Sequence, residues 1–339
     1  MPCAQAPWFW PLLGGERHEG EAFACGGQAF RVVGGIPRAL ALHSEDQQQT
    51  GRAFRYKWAR RDTFESAAVR THTRAWLEER YGGIEAHGWL DGLEAPLVLD
   101  AGCGAGHSAL EYFRPVLGRI RYLGVDISEA VEVACARCAE AGLQAGFLQA
   151  DLARLPLPDG IADLIFSEGV LHHTDDTRAA FHALVPFLKP GGRFLFYVYR
   201  RKGPVREFTD DHIRAALARL SPEEAWRAVE PLTRLGIALG ELGATIEIPE
   251  PVDLLGIPAG RIDVQQLFYQ HVAKAFWRPD MTFDEMNHIN FDWYAPRNAH
   301  RHTEEEVRSW CAEAGLAIER EVVQPSGITV VARRLPGRG

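Results

Sequence analysis

Three glycines and three aspartates stand where short apolar segments end, and residues of these types can hold a ligand. The segment Val98-Leu-Asp100 leads into Gly102-Cys-Gly104-Ala-Gly106. A strand that runs through such a turn into a helix brings backbone N–H groups and a helix N-terminus to a ligand. A dinucleotide fingerprint would need its third small residue at position 107, where this chain has His107. The spacing therefore disfavours a nicotinamide cofactor.

Two further aspartates follow the next two apolar segments. Asp126 comes about 24 residues after Gly102, where a carboxylate can accept hydrogen bonds from ribose hydroxyls. Asp151 can accept from the exocyclic amine of an adenine, with Ile127 and Leu152 as apolar walls for the ring. Either aspartate could instead only cap the end of its strand. Their order along the chain favours the ligand-binding interpretation.

A pair of histidines follows the fourth apolar segment. His173 is the candidate general base for an alcohol or phenol, whereas an amine acceptor needs less help. His172 is the candidate for the cofactor side, and a structural role for either histidine stays open. Tyr199 is a candidate for acceptor contact, although one face of a central strand is more often core than pocket.

A second group of reactive and aromatic residues lies near position 295. Asp292 and His300 are candidates for the base or for acceptor contact, and Trp293 and Tyr294 for acceptor binding. Such a mixture suits a small ring-bearing molecule. The alternative is that the aromatic side chains only pack a helical insertion against the core.

The elements that must position these residues alternate between strand and helix. Apolar runs predict strands, and amphipathic segments predict helices after Ala105, Ser128 and Asp175. This alternation predicts a parallel sheet. A capping box at Thr303 predicts one more helix, which ends at Gly315, and two closing strands follow it. The predicted strands are Leu97–Asp100, Tyr122–Asp126, Ala145–Gln149, Ala162–Phe166, Arg193–Tyr199, Leu316–Val323 and Gly327–Arg333.

These segments resemble the successive motifs of the class I S-adenosylmethionine-dependent methyltransferases over about residues 95–200 and through the closing strands. The similar segments are Asp100-Ala-Gly-Cys-Gly104, Val125-Asp126, Ala150-Asp151-Leu152, Pro156-Leu-Pro-Asp159, Ser167-Glu-Gly-Val-Leu-His-His173 and Leu188-Lys-Pro-Gly-Gly192. The resemblance implies an α/β fold with a doubly wound, seven-stranded Rossmann-like sheet whose last strand is antiparallel. It also implies S-adenosylmethionine as cofactor.

The resemblance assigns cofactor contacts to residues at the strand ends. It implies that Gly102 and Gly104 approach the methionine part, that Ser167 and Glu168 line the methionine end, and that Tyr56 closes over it. Packing is an equal alternative for Tyr56. The full set of expected cofactor-binding residues is Tyr56, Asp100, Gly102, Cys103, Gly104, Asp126, Ile127, Asp151, Leu152, Ser167, Glu168 and His172.

We expect four parts in the chain. Residues 1–50 form a small N-terminal module, 51–201 the cofactor-binding core, 202–298 an inserted helical lid that recognises the acceptor, and 299–339 the last helix and closing strands. The module is similar to a zinc-ribbon-like module that precedes some methyltransferases. Cys3 and Cys25 stand alone, so no local four-ligand zinc site is expected.

Charge and cysteine usage narrow the choice of partners. The chain has 37 Lys and Arg against 45 Asp and Glu, a formal charge of -8, which disfavours a nucleic-acid partner. No apolar run approaches the roughly 20 residues of a membrane span, and no secretory signal is recognised. The six scattered cysteines predict free thiols. A cytoplasmic monomer or homodimer is expected.

The sequence as a whole predicts a methyltransferase that acts on an oxygen or nitrogen of a small metabolite, with natural-product biosynthesis as one setting. A protein or RNA methyltransferase is the alternative in the same class, but it would call for a basic groove or a base-flipping motif near the fourth strand. A regulatory subunit that binds the cofactor without turnover is the alternative in a different class.

Overall fold

The computed structural model describes residues 2–40 and 43–336, and it is built on one large sheet. The strands are β1 (Ala22–Cys25), β2 (Gln28–Val33), β3 (Ile36–Ala39), β4 (Leu97–Ala101), β5 (Arg121–Asp126), β6 (Ala145–Gln149), β7 (Ala162–Glu168), β8 (Leu188–Tyr199), β9 (Thr245–Ile248), β10 (Gly260–Asp263), β11 (Leu316–Val323) and β12 (Gly327–Arg334). Strands β9 and β10 form a separate hairpin.

The helices lie on both faces of this sheet and above one end of it. They are α1 (Glu45–Trp58), α2 (Ala67–Tyr81), α3 (Ile84–His87), α4 (His107–Tyr112), α5 (Ala130–Glu140), α6 (Thr177–Leu184), α7 (Pro204–Leu217), α8 (Pro222–Glu241), α9 (Val264–His271), α10 (Phe283–Tyr294) and α11 (Glu304–Glu313). Helix α11 begins at the Thr303 capping box that the sequence predicts, and Gly315 beyond its end has φ +67°.

The order of the central strands is β6-β5-β4-β7-β8-β12-β11, with β12 antiparallel to both neighbours. The predicted doubly wound α/β fold with an antiparallel last strand is therefore confirmed. All five residues of β4 are buried, because helices cover both faces of the sheet. The carboxyl ends of the parallel strands meet at one edge, where ligands bind in folds of this kind.

The N-terminal segment is joined to the sheet more closely than a separate module would be. Strands β1, β2 and β3 form an antiparallel unit, and β3 pairs with β6 through Arg38 and Gln149, so the sheet has ten described strands instead of seven. Phe9, Leu13 and Phe30 are buried in the same hydrophobic core as the central strands.

The expectation of free thiols is wrong for one pair of cysteines. The Cys3 N–H donates to the Gly34 carbonyl 2.8 Å away, which fixes Cys3 at the β2–β3 turn. This turn lies beside α5, and Cys3 forms a disulfide with Cys135 of that helix across a Cα–Cα distance of 6.0 Å. Cys25, Cys103, Cys138 and Cys311 are free.

The segment between β8 and α11 forms helices α7 to α10 and the β9–β10 hairpin. Tyr197 and Tyr199 at the end of β8 share one hydrophobic cluster with Trp226, Phe291 and Trp293 of this insertion. The insertion therefore lies over the carboxyl end of β8, next to the glycine turn.

Within residues 2–40 and 43–336, no helix combines the length and the hydrophobicity that a membrane span requires. In the same part of the chain, no three His, Cys, Asp or Glu side chains are grouped so that they could hold a metal ion.

Candidate active site

A cavity of about 320 Å³ lies at the carboxyl ends of the parallel strands, under α1 and the insertion. Its glycine half, at the ends of β4, β5 and β6, is lined by Gly102, Gly104, Asp126, Ile127, Asp151 and Leu152. Its aromatic half, at β8 and the insertion, is lined by Trp76, Tyr197, Tyr199, Phe276 and Trp293 with the cations Arg80 and Lys274.

Only glycine fits the turn that forms one wall of this cavity. Gly102 has φ +89° and Gly104 has φ +49°, which side chains rarely adopt. A Cβ at Gly102 would lie 2.2 Å from Cγ1 of Val170, and one at Gly104 would lie 2.6 Å from Nε1 of Trp58. The backbone of the turn thus passes directly against its neighbours at the cavity wall.

Asp126 holds this turn in place. One carboxylate oxygen accepts from the Gly104 N–H at 2.8 Å, and the other accepts from the N–H and hydroxyl of Ser128 at 2.8 and 2.6 Å. Burial raises the pKa of Asp126, and these hydrogen bonds partly offset that effect. A carboxylate has about four lone-pair sites, so acceptor capacity remains on a side chain that lines the cavity.

The other residues expected at the cofactor divide into two sets. Ile127, Asp151, Leu152 and Glu168 line the cavity. Asp100, Cys103 and Ser167 lie behind its wall: Asp100 accepts from the Tyr122 hydroxyl, and the Ser167 hydroxyl donates to the Ala101 carbonyl at 2.9 Å. Tyr56 lies away from the cavity, with its ring centroid 6.1 Å from that of Trp226.

His173 lines the cavity as a neutral imidazole. Its Nδ1 lies 2.5 Å from the Asn298 carbonyl oxygen, which can only accept, so Nδ1 carries the proton and the lone pair is on Nε2. Burial lowers the pKa of His173 to about 4, although Asp292 partly opposes this. The geometry therefore supplies a proton acceptor at the cavity wall.

His172 and His300 do not line the cavity. Both ring nitrogens of His172 are buried without a hydrogen-bond partner among the described residues, and its ring stacks on Tyr199 at 3.6 Å. Nε2 of His300 lies 3.0 Å from the Thr174 carbonyl, in a separate surface depression with Asp175, Asp176 and His302. The structure does not bring these two histidines to the glycine turn.

Asp292 lines the cavity and forms an ion pair with Lys57 of α1. Burial raises the pKa of Asp292, but the ammonium groups of Lys57 and Lys274 outweigh this effect and hold the pKa at about 2. Trp293 also lines the cavity, whereas Tyr294 lies behind it, where its hydroxyl donates to Asp210 at 3.0 Å.

The sequence analysis did not identify three buried cations that line this cavity, which are Lys57, Arg80 and Lys274. Arg80 is fully buried, pairs with Glu168 at 3.2 Å and lies 3.6 Å from the centre of the Trp76 ring. Lys57 and Arg80 belong to amphipathic helices, where charged residues are normally exposed, so nothing in their spacing marks them. Lys274 could have been found, because it interrupts the apolar run Val272-Ala-Lys-Ala-Phe276.

The histidine that follows the glycine turn makes a testable contribution to stability. Burial lowers the pKa of His107 from 6.5 to about 3. Because the unfolded chain takes up this proton near pH 6.5, the contribution is fully present above pH 6.5 and is lost as the pH falls toward 3. We expect the free energy of unfolding of His107→Gln to rise by about 2–3 kcal/mol relative to that of the parent as the pH is lowered from 7.5 to 4.5. Urea unfolding of both proteins measures this difference.

The difference between the two proteins is the informative quantity in that measurement. Burial also raises the pKa of Asp100 to about 7, so protonation of Asp100 stabilises the folded state as the pH falls. This effect is opposite in sign to that of His107. It is present in both proteins and therefore cancels in the difference between them. A difference that stays constant across this pH range would mean that His107 takes up its proton in the folded state.

Fold and cavity together define a Rossmann-like domain with a cofactor site at its strand ends. A family model described as a methyltransferase domain matches residues 99–196. The chain carries a class I S-adenosylmethionine-dependent methyltransferase domain, and S-adenosylmethionine is the cofactor of that domain.

Curated proteins match about a third of this chain. The uncharacterized methyltransferase YcgJ of Bacillus subtilis is 38% identical over 119 residues, which are 34% of this chain and 46% of that protein. Phosphoethanolamine N-methyltransferase 1 of Arabidopsis thaliana is 31% identical over 116 residues, 33% of this chain and 23% of that protein. The chain therefore spans less than half the length of these curated relatives.

One solved structure that is similar to this chain is 1,6-didemethyltoxoflavin-N1-methyltransferase of Burkholderia thailandensis with bound 1,6-didemethyltoxoflavin and S-adenosylhomocysteine. It is 16% identical with a TM-score of 0.44, and the match covers 93% of this chain and 100% of that one.

Proposed function

We propose that this protein transfers a methyl group from S-adenosylmethionine to an oxygen or nitrogen of a small molecule bound in the aromatic half of the cavity. The observation that carries the proposal is the continuity of the cavity, which joins the glycine turn and Asp126 to Trp293, Tyr199 and His173. A volume of about 320 Å³ suits a small acceptor better than a protein segment or an RNA.

The residues of the glycine half fit the cofactor. Asp126 would accept from a ribose hydroxyl, Asp151 would accept from the adenine amine, and Ile127 and Leu152 would lie against the ring. When bound, S-adenosylmethionine supplies a methyl group on a positively charged sulfur. The task of the protein is therefore to align the acceptor with that group and to exclude water.

His173 would take the proton that an alcohol or phenol acceptor loses. Nε2 is the free acceptor because Nδ1 is held by the Asn298 carbonyl, which also fixes the ring orientation. Asp292 is ionised beside Lys57 and raises the pKa of His173, so it would stabilise the imidazolium that proton uptake produces. His300 lies outside the cavity and would not contact the acceptor. Through the Thr174 carbonyl it would help to position the segment that carries His173.

Cofactor binding and acceptor selection would belong to different parts of the chain. Residues 51–201 would bind the cofactor, and 202–298 would select the acceptor, because this insertion supplies Lys274, Phe276, Asp292 and Trp293 to the cavity wall. We place the protein in the cytoplasm and expect the site to be complete within one chain.

Calorimetric titration with S-adenosylmethionine, S-adenosylhomocysteine and NAD tests the proposal. We expect dissociation constants in the micromolar range for the first two, about -8 kcal/mol, and no heat for NAD. No binding of either sulfur compound would overturn the assignment of the cavity. Binding without turnover across a broad acceptor set would favour the regulatory subunit instead.

A further inference from the structure

Lys274 is a buried cation at the cavity wall, and no described residue forms an ion pair with it. Lys274 is 8% exposed and lines the cavity, and its ammonium lies 4.6 Å from the centre of the Trp293 ring. Among residues 2–40 and 43–336 no carboxylate lies within 4.0 Å of it, and no hydrogen bond of its ammonium is present. An ammonium in this setting is costly unless a counter-charge arrives.

The neighbouring backbone is fixed, so the position of Lys274 is built into the fold. The Lys274 N–H donates to the Tyr294 hydroxyl at 2.6 Å, and the Phe276 N–H donates to Oδ1 of Asn290 at 2.9 Å. Between them, the Ala275 carbonyl accepts from the Gln265 amide at 2.8 Å. Three hydrogen bonds on three successive residues hold this segment, although it belongs to no helix or strand.

The other buried cations around the cavity already have partners. Lys57 pairs with Asp292, Arg80 with Glu168, and Arg206 with Asp210. Lys202, whose ammonium also lies near the Trp293 ring, donates to the carbonyls of Arg200 and Ser326. Among these buried cations, Lys274 is therefore the one whose ammonium is available to form an ion pair with a ligand.

We infer that Lys274 binds a carboxylate of the methyl acceptor, which makes the acceptor a small aromatic or heteroaromatic acid. This inference rests on the proposed function and names its substrate class. The aromatic part follows from the rings that line the same half of the cavity, Trp76, Tyr197, Tyr199, Phe276 and Trp293. These rings can stack on a planar ligand.

The charge around the cavity selects against other acceptors. A cationic amine would meet the ammonium of Lys274, which lines the cavity and lies 4.6 Å from the centre of the Trp293 ring. A phosphate carries more charge than one ammonium balances, and phosphate sites commonly add Arg side chains or a helix N-terminus. A single carboxylate matches a single free ammonium.

The pH dependence of binding follows from the groups that face Lys274. Burial lowers the pKa of Lys274 to about 7, Asp292 and Asp210 oppose this effect, and Arg206 and Lys57 add to it. A bound carboxylate would raise that pKa. The affinity for the acid should therefore be constant below pH 7. Above pH 7 it should fall by up to about tenfold per pH unit, because Lys274 must then take up a proton before it can pair with the carboxylate.

The test uses the full chain saturated with S-adenosylhomocysteine and titrated with matched pairs: salicylate and salicylamide, anthranilate and anthranilamide, nicotinate and nicotinamide. We expect at least one acid to bind about tenfold or more tightly than its amide. Lys274→Met should remove this preference, and Lys274→Arg should keep part of it. Because Met fits a buried site, the melting temperature of Lys274→Met should be unchanged or raised.

Lys202→Met is the matched control, since its ammonium lies equally close to Trp293 but does not line the cavity. It should keep the acid preference if folded. Equal affinity for every acid and its amide, or an undiminished preference in Lys274→Met, would overturn the inference. Tighter binding of phenyl phosphate than of benzoate would overturn the carboxylate assignment. Failure of S-adenosylhomocysteine to bind would instead overturn the proposed function itself.

Discussion

Replacing His173 with asparagine is expected to lower kcat by about 10²- to 10⁴-fold, the usual contribution of a positioned general base. Asparagine places its amide N–H where Nδ1 stands, so the hydrogen bond to the Asn298 carbonyl can persist while the Nε2 lone pair is lost. The measurement is single-turnover formation of S-adenosylhomocysteine with a hydroxylated acid as acceptor. Affinity for S-adenosylhomocysteine should not change.

The matching control for this variant is His182→Asn. His182 lies on α6 beside Glu313, away from the cavity, and its replacement should leave the rate within about twofold of the parent. A His173→Asn protein that is folded and as fast as the parent would show that the acceptor needs no base. An amine acceptor would be the natural explanation.

Asp126→Ala is expected to weaken binding of S-adenosylmethionine by about 2 kcal/mol, or about 30-fold, the loss expected for charge-assisted hydrogen bonds. Two effects contribute. The variant loses the acceptor that faces the cavity, and it frees the Gly104 and Ser128 N–H groups that the carboxylate now holds at 2.8 Å. Calorimetric titration with S-adenosylmethionine measures the loss.

Asp163→Ala separates this effect from a general loss of stability. Asp163 is also a strand aspartate that accepts a backbone N–H, from Leu97 at 2.8 Å, and it pairs with Lys189. It lies at the amino end of β7, the opposite edge of the sheet. Its replacement should lower the melting temperature and leave the affinity unchanged. Equal affinity in Asp126→Ala and the parent would remove Asp126 from the ribose site.

The sequence was most informative where local chemistry decides the structure. The glycine turn requires positive φ at Gly102 and Gly104, and such positions can be read from composition and spacing. The capping box at Thr303 is equally local, and so are the apolar runs that became β4 to β8. For these elements the predicted and observed positions agree to within a few residues, except that β8 begins earlier, at Leu188.

Features that depend on distant parts of the chain were not predictable. Cys3 and Cys135 are 132 residues apart, and the attachment of the N-terminal segment to β6 brings them together. Arg80 has the charge and helical spacing of a surface residue, yet it is fully buried, with hydrogen bonds to Glu168 of β7 and to Gln324 and Ser326 between β11 and β12. His300 follows the aromatic cluster in sequence, but its side chain turns to the Thr174 carbonyl.

The attachment of the N-terminal segment also bears on how the protein can be handled. Beyond the pairing of β3 with β6 at Gln149, the outer edge of β6 is covered by Gln5. The amide oxygen of Gln5 accepts from the Phe147 N–H at 2.8 Å, and its amide nitrogen donates to the Phe147 carbonyl at 3.0 Å. The Ala6 N–H donates to the Ala145 carbonyl at 2.9 Å. A chain that lacks only this N-terminal segment would expose this row of peptide groups. Exposed strand edges recruit other chains, so aggregation and not loss of the catalytic residues would limit the use of a shortened enzyme.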